Sequence, residues 1–498
     1  MTTMASPLIG AASSKVKWES INWNAIKAEV YRLQTRIAKA IREGRHGKVK
    51  TLQWLLTHSF NAKLLAVKRV TQNQGSKTPG IDNVTWTTPQ QKLKAAQSLK
   101  RRGYQPHPLK RIYIPKKDGR KRPLSIPTMF CRAMQALHLL ALEPVAEHFS
   151  DKNSYGFRPK RSCADAMEMS HILLSQRSSA QFILEGDIKS CFDKISHQWL
   201  RDNITMDKEI LNKWLAAGFI EKGLLYSTNE GTPQGGIVSP TLLNLTLSGL
   251  EETVIRATSK RKDKVHLVTY ADDFIITASS KEVLENKVKP VVEAFLRERG
   301  LELSKDKTKI THIDDGFDFL GITVRKYKGK YISTPSKKSI KHFLNNIREL
   351  IKSHPTAKAE NLIHLLNQKI RGWAYYFRNC CAKKTFEYID HQIFIALWQW
   401  VHRRHPRKGA QWRRRKYFRS HNLRNWIFTA KISKGNNKAT YLDLFEAGSV
   451  PIKRHIKIRS NANPFDTQFK EYFEQRASIV KGSQRVSTQQ AYPNMHQV

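Results

Sequence analysis

Apolar positions along the chain change period several times, and each change marks a change of element. From 23 to 44, Ile26, Val30, Leu33, Ile37 and Ile41 recur at helical spacing, which predicts a helix capped by Asn22 or Asn24 and stopped by Gly44. A second helix with a basic polar face is predicted over about 48 to 67, and QNQGSKTPGIDN after it reads as a loop. From about 109 to 324 the runs shorten. KRIYIPKKDGRKRPLSIP reads as a hairpin turning at Asp118-Gly119, and QFILEGDI as a short buried strand. HLVTYADDFIITA is two β-rich runs meeting at an acidic turn, and GFDFLGITV is one more strand ahead of a KYKGKYIS hairpin. ALHLLALEPVAEHF between them is helical in period. Strands and helices alternate without a βαβ rhythm, so the expected class is α+β, an antiparallel sheet backed by helices. From about 335 to 430 the pattern is helical again, through SIKHFLNNIRELI, AENLIHLLNQKIRGWAYYF and EYIDHQIFIALWQWV. The stretch 431–498 reads as short mixed elements and a disordered polar tail.

Composition adds a partner to this picture. The 498 residues carry 87 Lys and Arg against 41 Asp and Glu, a formal net charge of +46. Such an excess repels itself in a compact fold, and phosphate neutralisation with counterion release makes nucleic acid the expected partner. Between 391 and 442 there is no acidic residue at all, while Trp and Tyr are interleaved with the cations. Arg413, Arg414, Arg415 and Lys416 are the densest part of that run and are candidate nucleic-acid contacts. With 40% hydrophobic residues and 11 Trp a large core is expected, which excludes a wholly disordered basic protein. No apolar run approaches the ~18 residues that span a bilayer, so no membrane partner is expected. Five cysteines without a C-x-x-C pair argue against structural zinc and a disulfide framework, and suit a reducing cytosol. The first residues, MTTMASPLIGAASSKVK, read as a loose terminus rather than a signal or transit peptide.

The candidate chemistry is acidic. Asp272 and Asp273 sit at a turn flanked by VHLVT and FIITA, with neither Gly nor Asn to explain the turn. Adjacent carboxylates in such a site resist ionisation unless a cation intervenes, and Mg²⁺ takes hard oxygen ligands and shares them with phosphates. Asp187 likewise ends an apolar run, with Phe192 five residues on. Three Asp at neighbouring strand ends would make a two-metal site for phosphoryl or nucleotidyl transfer.

Tyr270-Ala271-Asp272-Asp273 following GDI-x-x-x-F resembles the palm of a reverse transcriptase. RVTQNQGSKTPGID, IPKKDGRKRPLSIP, NSYGFRP, GTPQGGIVSP, GLELSKDKTKI, FDFLGI and IRGWAYYFR, in that order over about 20–475, narrow the resemblance to the group II intron-encoded reverse transcriptases, or maturases. The resemblance implies a right-hand polymerase with an antiparallel-sheet palm and fingers over 50–334, preceded by a tail and basic helix over 1–49. A helical thumb over 335–430 and a small basic DNA-binding region over 431–498 would follow. It further implies Asp187, Asp272 and Asp273 as ligands of two Mg²⁺ ions, and Lys116, Arg122, Phe192 and Gln234 as the nucleotide site. Among these, Lys116 and Arg122 would hold the triphosphate and Phe192 would exclude a 2′-hydroxyl. Arg158, Tyr270 and Lys307 would lie near primer and template. The implied partners are group II intron RNA, an RNA template with a DNA primer, target DNA and dNTPs, in a bacterial cytoplasmic, nucleoid-associated protein, with an organelle as the minor alternative. NANPFDTQFKEYFEQR precedes an HNH-type endonuclease in many relatives, but here no His and Cys cluster follows it, so no DNA cleavage by this chain is expected. Two alternatives stay open: a splicing cofactor that no longer polymerises, and a retron- or CRISPR-linked reverse transcriptase.

Overall fold

The computed structural model describes residues 17–115, 121–232, 235–259, 261–422, 424–432 and 440–485. Its amino-terminal part is three helices, Trp23–Arg42, His46–His58 and Phe60–Gln72, wrapped around the long helix Met129–Phe149. Asn22 caps the first by accepting from the Ala25 N–H at 3.1 Å, and Gly44 follows its end at φ 68°, as the sequence pattern predicts. The second helix differs from its prediction, because Ser59 adopts an extended conformation and splits it. Val49, Leu52 and Leu56 are buried, and an unbroken helix would next turn Phe60 inward. The break instead leaves Phe60 at the surface and buries Ala62, Leu64 and Val67.

Helix Met129–Phe149 runs unbroken through Pro144. A proline there has no N–H to give the Leu140 carbonyl. The Gln34 side-chain amide supplies the missing donor at 2.8 Å, so the orphan acceptor is satisfied from the neighbouring helix.

The central sheet is antiparallel, in the order His266–Tyr270, Asp273–Ala278, Phe182–Asp187, Lys309–His312. Both faces are covered. Leu184, Leu267 and Ile276 point into the core shared with the amino-terminal helices, while Ile183, Val268 and Ile275 point into a second core. That explains strands that read as continuous apolar runs, since neither face needs polar residues. The second core is closed by helices Lys337–Lys352, Ala359–Phe377 and Lys383–Arg404.

Among the described residues three other sheets accompany this frame. Leu109–Pro115 and Lys121–Ile126 form the expected hairpin, but Leu109–Pro115 also pairs in parallel with Phe219–Glu221, so this outer sheet is mixed. The turn predicted at Asp118-Gly119 lies outside the described residues. GFDFLGITV is two strands, Phe317–Phe319 and Ile322–Tyr327, turned by Leu320 and Gly321 at φ 51° and 76°. The helical pattern ends at Tyr417 rather than near 430, because Phe418–His421, Arg424–Ile432 and Thr440–Asp443 pair as a sheet that buries Phe418 and Phe428. Beyond it, 453–466 returns across the frame as a strap. Buried Asp165 accepts from the Ile458 N–H, His455 and Arg476 at 2.7–2.9 Å. Arg161 reaches the Ala462 carbonyl, and Tyr31 on the first helix donates to the Pro464 carbonyl at 2.9 Å. Among the described residues no helix is long and apolar enough to cross a membrane.

Candidate active site

The acidic turn is built from the sheet register. Tyr270 pairs with Asp273, which leaves Ala271 and Asp272 as a two-residue hairpin turn. Ala271 sits at φ 58°, a left-handed conformation that costs a non-glycine residue about 1–2 kcal/mol. A neighbouring loop holds it there. Tyr155 N–H donates to the Thr269 carbonyl and Thr269 N–H to the Asn153 carbonyl, both at 3.0 Å, so 153–155 lies alongside the strand. This brings Gly156 so close that a Cβ on it would stand 2.3 Å from the Ala271 nitrogen. On the facing strand a Cβ at Gly186 would strike the Phe274 ring at 2.1 Å. Glycine is needed at both places because backbone or ring fills the side-chain space.

The same register sets Asp187 directly opposite Asp273. Like charges facing across a strand pair are destabilising, and a bound proton or a cation relieves them. Lys307 is one such cation. Ser304 N–H donates to the Asp187 backbone carbonyl at 2.8 Å, and the turn it starts folds Lys307 Nζ back to 2.8 Å from Asp187 Oδ2. Asp273 is open to solvent on one side, yet burial by the protein around it pushes its carboxyl up to about 6, with Asp272 and Asp187 adding repulsion and Lys307 opposing. Burial also raises Asp272, reinforced by Asp187 and opposed by Arg122 and Lys307. Arg122, exposed on its hairpin arm, is thus within electrostatic reach of the turn. The buried Cys191 thiol is pushed well up, by burial first and then by Asp272 and Asp187.

The donor set suits a hard divalent cation, being carboxylate oxygens whose mutual repulsion a metal would quench. Among the described residues, however, no three such side chains are already gathered around one point. One oxygen of Asp187 is instead held by Lys307.

The other residues named from the sequence differ in their surroundings. Phe192 is partly buried on the one-turn helix Cys191–Lys194, and its carbonyl accepts from the Thr232 N–H at 2.6 Å. Tyr270 packs on the second core, with burial and the Cys163 thiol raising its hydroxyl. Lys116 and Gln234 lie outside the described residues. Arg158, expected near primer and template, is a buried residue of the loop beside the acidic turn. It is 6% exposed, bonds Glu147 through Nε and Nη2 at 2.8 and 3.0 Å, and gives Nη1 to the Asp151 and Ser154 carbonyls. Its donors are consumed in shaping the loop that carries Gly156. Arg413 also faces inward, bonding the His405 and Pro406 carbonyls, which leaves Arg414, Arg415 and Lys416 exposed. Arg414 lies over Trp426 and Lys416 over Trp412, at 4.5 and 4.7 Å.

Comparison with known proteins places this geometry. Residues 114–324 match the family "Reverse transcriptase (RNA-dependent DNA polymerase)", 18–99 the "N-terminal domain of reverse transcriptase", and 340–418 the "Group II intron, maturase-specific domain". Protein YkfC of Escherichia coli (strain K12) is 31% identical over 338 residues, 58% of this chain and 88% of that protein. The group II intron-encoded protein LtrA of Lactococcus lactis subsp. cremoris is 29% identical over 58% of each chain. The chain belongs to the group II intron-encoded reverse transcriptases. It spans most of YkfC but little more than half of LtrA. Among solved structures, a telomerase from Candida albicans in complex with a telomeric RNA fragment aligns with a TM-score of 0.36 and 14% identity, over 62% of this chain and 63% of that one.

The carboxylates are legible in the sequence, but most of what holds them is not. Gly156 is visible as part of NSYGFRP, but in a single sequence nothing announces the close backbone approach it serves. Ala271 carries no signal, because nothing in its type announces a left-handed turn.

Proposed function

We propose that this reverse transcriptase copies RNA into DNA, and that it binds group II intron RNA, assists its splicing and copies it during intron mobility. The observation that carries the reading is Asp187 facing Asp273 at paired strand ends, with Asp272 on the turn between strands. In this reading the three carboxylates hold two Mg²⁺ ions, which supply Lewis-acid stabilisation of the charge developing at the α-phosphate of a dNTP. Lys307, which holds Asp187 here, would release it to a bound ion and stay beside the primer end. Arg122 and Lys116 neutralise the triphosphate, Arg by its forked geometry and Lys as a point charge. Phe192 and Gln234 complete the nucleotide site. Arg414, Arg415 and Lys416, backed by Trp412 and Trp426, contact RNA backbone and bases. Target DNA engages the basic region beyond 431, and the parts 1–49, 50–334, 335–430 and 431–498 keep the roles expected from the sequence.

Primer extension on an RNA template, with and without Mg²⁺, tests the reading. Extended cDNA that stops when the metal is chelated supports it. A protein that binds intron RNA and promotes splicing but extends no primer would replace it with the cofactor reading.

A further inference from the structure

A second candidate site lies among the amino-terminal helices. It is a cavity of about 210 Å³ where the ends of helices His46–His58 and Phe60–Gln72 meet helix Met129–Phe149 and the turn at 99–102. Its rim is cationic: Lys63, Lys100, Arg101 and Arg102. Arg101 is already neutralised, with Asp207 and Glu209 as its carboxylate partners. Among the described residues no carboxylate pairs with Lys63, Lys100 or Arg102. Burial lowers the Lys63 ammonium, and the charge of Lys100 lowers it further, so the rim is electrically unsatisfied.

The floor makes an independent case. His138 lines the cavity, is 6% exposed and stands edge-on to Trp214 with centroids 5.6 Å apart. Among the described residues no side chain or backbone group bonds either ring nitrogen, and neither nitrogen is closed off from the cavity. Burial holds its pKa near 4, so at neutral pH it is an uncharged imidazole with one N–H to give. Because the ring lines the cavity, a bound group that accepts a hydrogen bond can meet that N–H there.

We propose that this cavity is a phosphate-binding site, in which Lys63, Lys100 and Arg102 neutralise the anion and His138 donates to one of its oxygens. The chemistry is that of a tetrahedral oxyanion meeting two ammonium groups and one forked guanidinium. The space is smaller than pockets that enclose a drug-sized ligand, which suits a phosphate group with part of its sugar rather than a whole dinucleotide. The phosphate could be a backbone group of bound RNA or a free phosphate, and the two sources are separable. The site needs nothing from the acidic turn and stands apart from the polymerase reading.

The test uses the full chain and the double variant Lys63→Gln, Arg102→Gln, with His138→Phe as a second variant that keeps a ring against Trp214. Inorganic phosphate is titrated calorimetrically at constant ionic strength. In parallel, an RNA oligonucleotide lacking terminal phosphates is bound over a salt series. Circular dichroism and primer extension check that the variants are folded. Phosphate binding by the parent, weakened at least about tenfold in both variants, assigns a free-phosphate site. No binding of phosphate alone, with a salt slope for RNA reduced by about one to two in the double variant, assigns a backbone phosphate. Phosphate affinity and RNA salt slope both unchanged in folded variants overturn the proposal.

Discussion

Asp187 answers to two opposite charges at once: Lys307 Nζ lies 2.8 Å from its Oδ2, and Asp273 stands directly across from it on the next strand. The ammonium is half exposed, so the pair itself contributes only about 0–1 kcal/mol. Its significance is positional, because it sets a positive charge where the proposed metal ion would sit.

Asp272→Ala with Asp273→Ala is expected to lower cDNA synthesis by at least about 10², the scale on which losing charge stabilisation at a reacting centre acts. RNA affinity and splicing should survive, since the basic surface is untouched. Primer extension, filter binding and a splicing assay on one preparation check this. Joint loss of all three in a folded protein would count against separate sites.

Phe192→Val is expected to raise ribonucleotide incorporation at least about tenfold, equivalent to ~1.4 kcal/mol of lost discrimination. Single-nucleotide extension with dNTP against rNTP reads the ratio. A variant that discriminates like the parent would leave Phe192 as core packing only.

Arg414, Arg415 and Lys416 replaced together by Gln should reduce the slope of log K against log salt by about one for each phosphate no longer neutralised. Arg413→Gln should leave that slope alone and lower stability instead, because its guanidinium serves the His405 and Pro406 carbonyls. Binding measured from low to moderate salt distinguishes them.

The carboxylates and most strands were legible in the sequence, and the reasons for the rest are physical. Period and composition report how a segment buries itself, so the runs ending at Asp187 and starting at Asp273 were readable as strands. They do not report long-range partners. Arg158 and Arg413 look like nucleic-acid contacts in a basic chain, yet both are drawn inward by acceptors that are not evident from composition: Glu147 and the Asp151 and Ser154 carbonyls for one, backbone carbonyls for the other. The break at Ser59 was invisible because no Gly or Pro marks it. The phosphate pocket was invisible because Lys63, Arg102 and His138 meet only in the folded chain.

Glu147→Gln is expected to destabilise the protein by about 3–5 kcal/mol, the scale of breaking a buried pair from one side. Glu147 is 6% exposed and is the carboxylate partner of both Arg158 and Arg161. Urea denaturation gives the value, and a loss under ~1 kcal/mol would mean that water reaches the arginines.

Asp390 offers a pH test. It accepts from the Ala447 and Gly448 N–H groups at 2.8 and 2.7 Å, and burial pushes its carboxyl up to about 6 despite those bonds. A carboxyl raised on folding binds its proton more tightly in the native state, so stability falls as pH climbs from the ordinary carboxyl range through about 6, and then levels. Melting temperature followed across that window should show this fall, reduced in Asp390→Asn. An identical pH profile in the variant would rule the group out.

The strap at 453–466 dictates when this protein can finish folding. Tyr31 and Pro464, joined by a hydrogen bond, are 433 positions apart, and Arg42 and Asp466 are 424 apart. On a ribosome the first helices emerge long before their fastening exists, and they must wait while more than four hundred residues are added. Contacts of that sequence separation form late and slowly. The basic amino-terminal helices therefore wait without this partner, beside a messenger RNA, until the strap has been made.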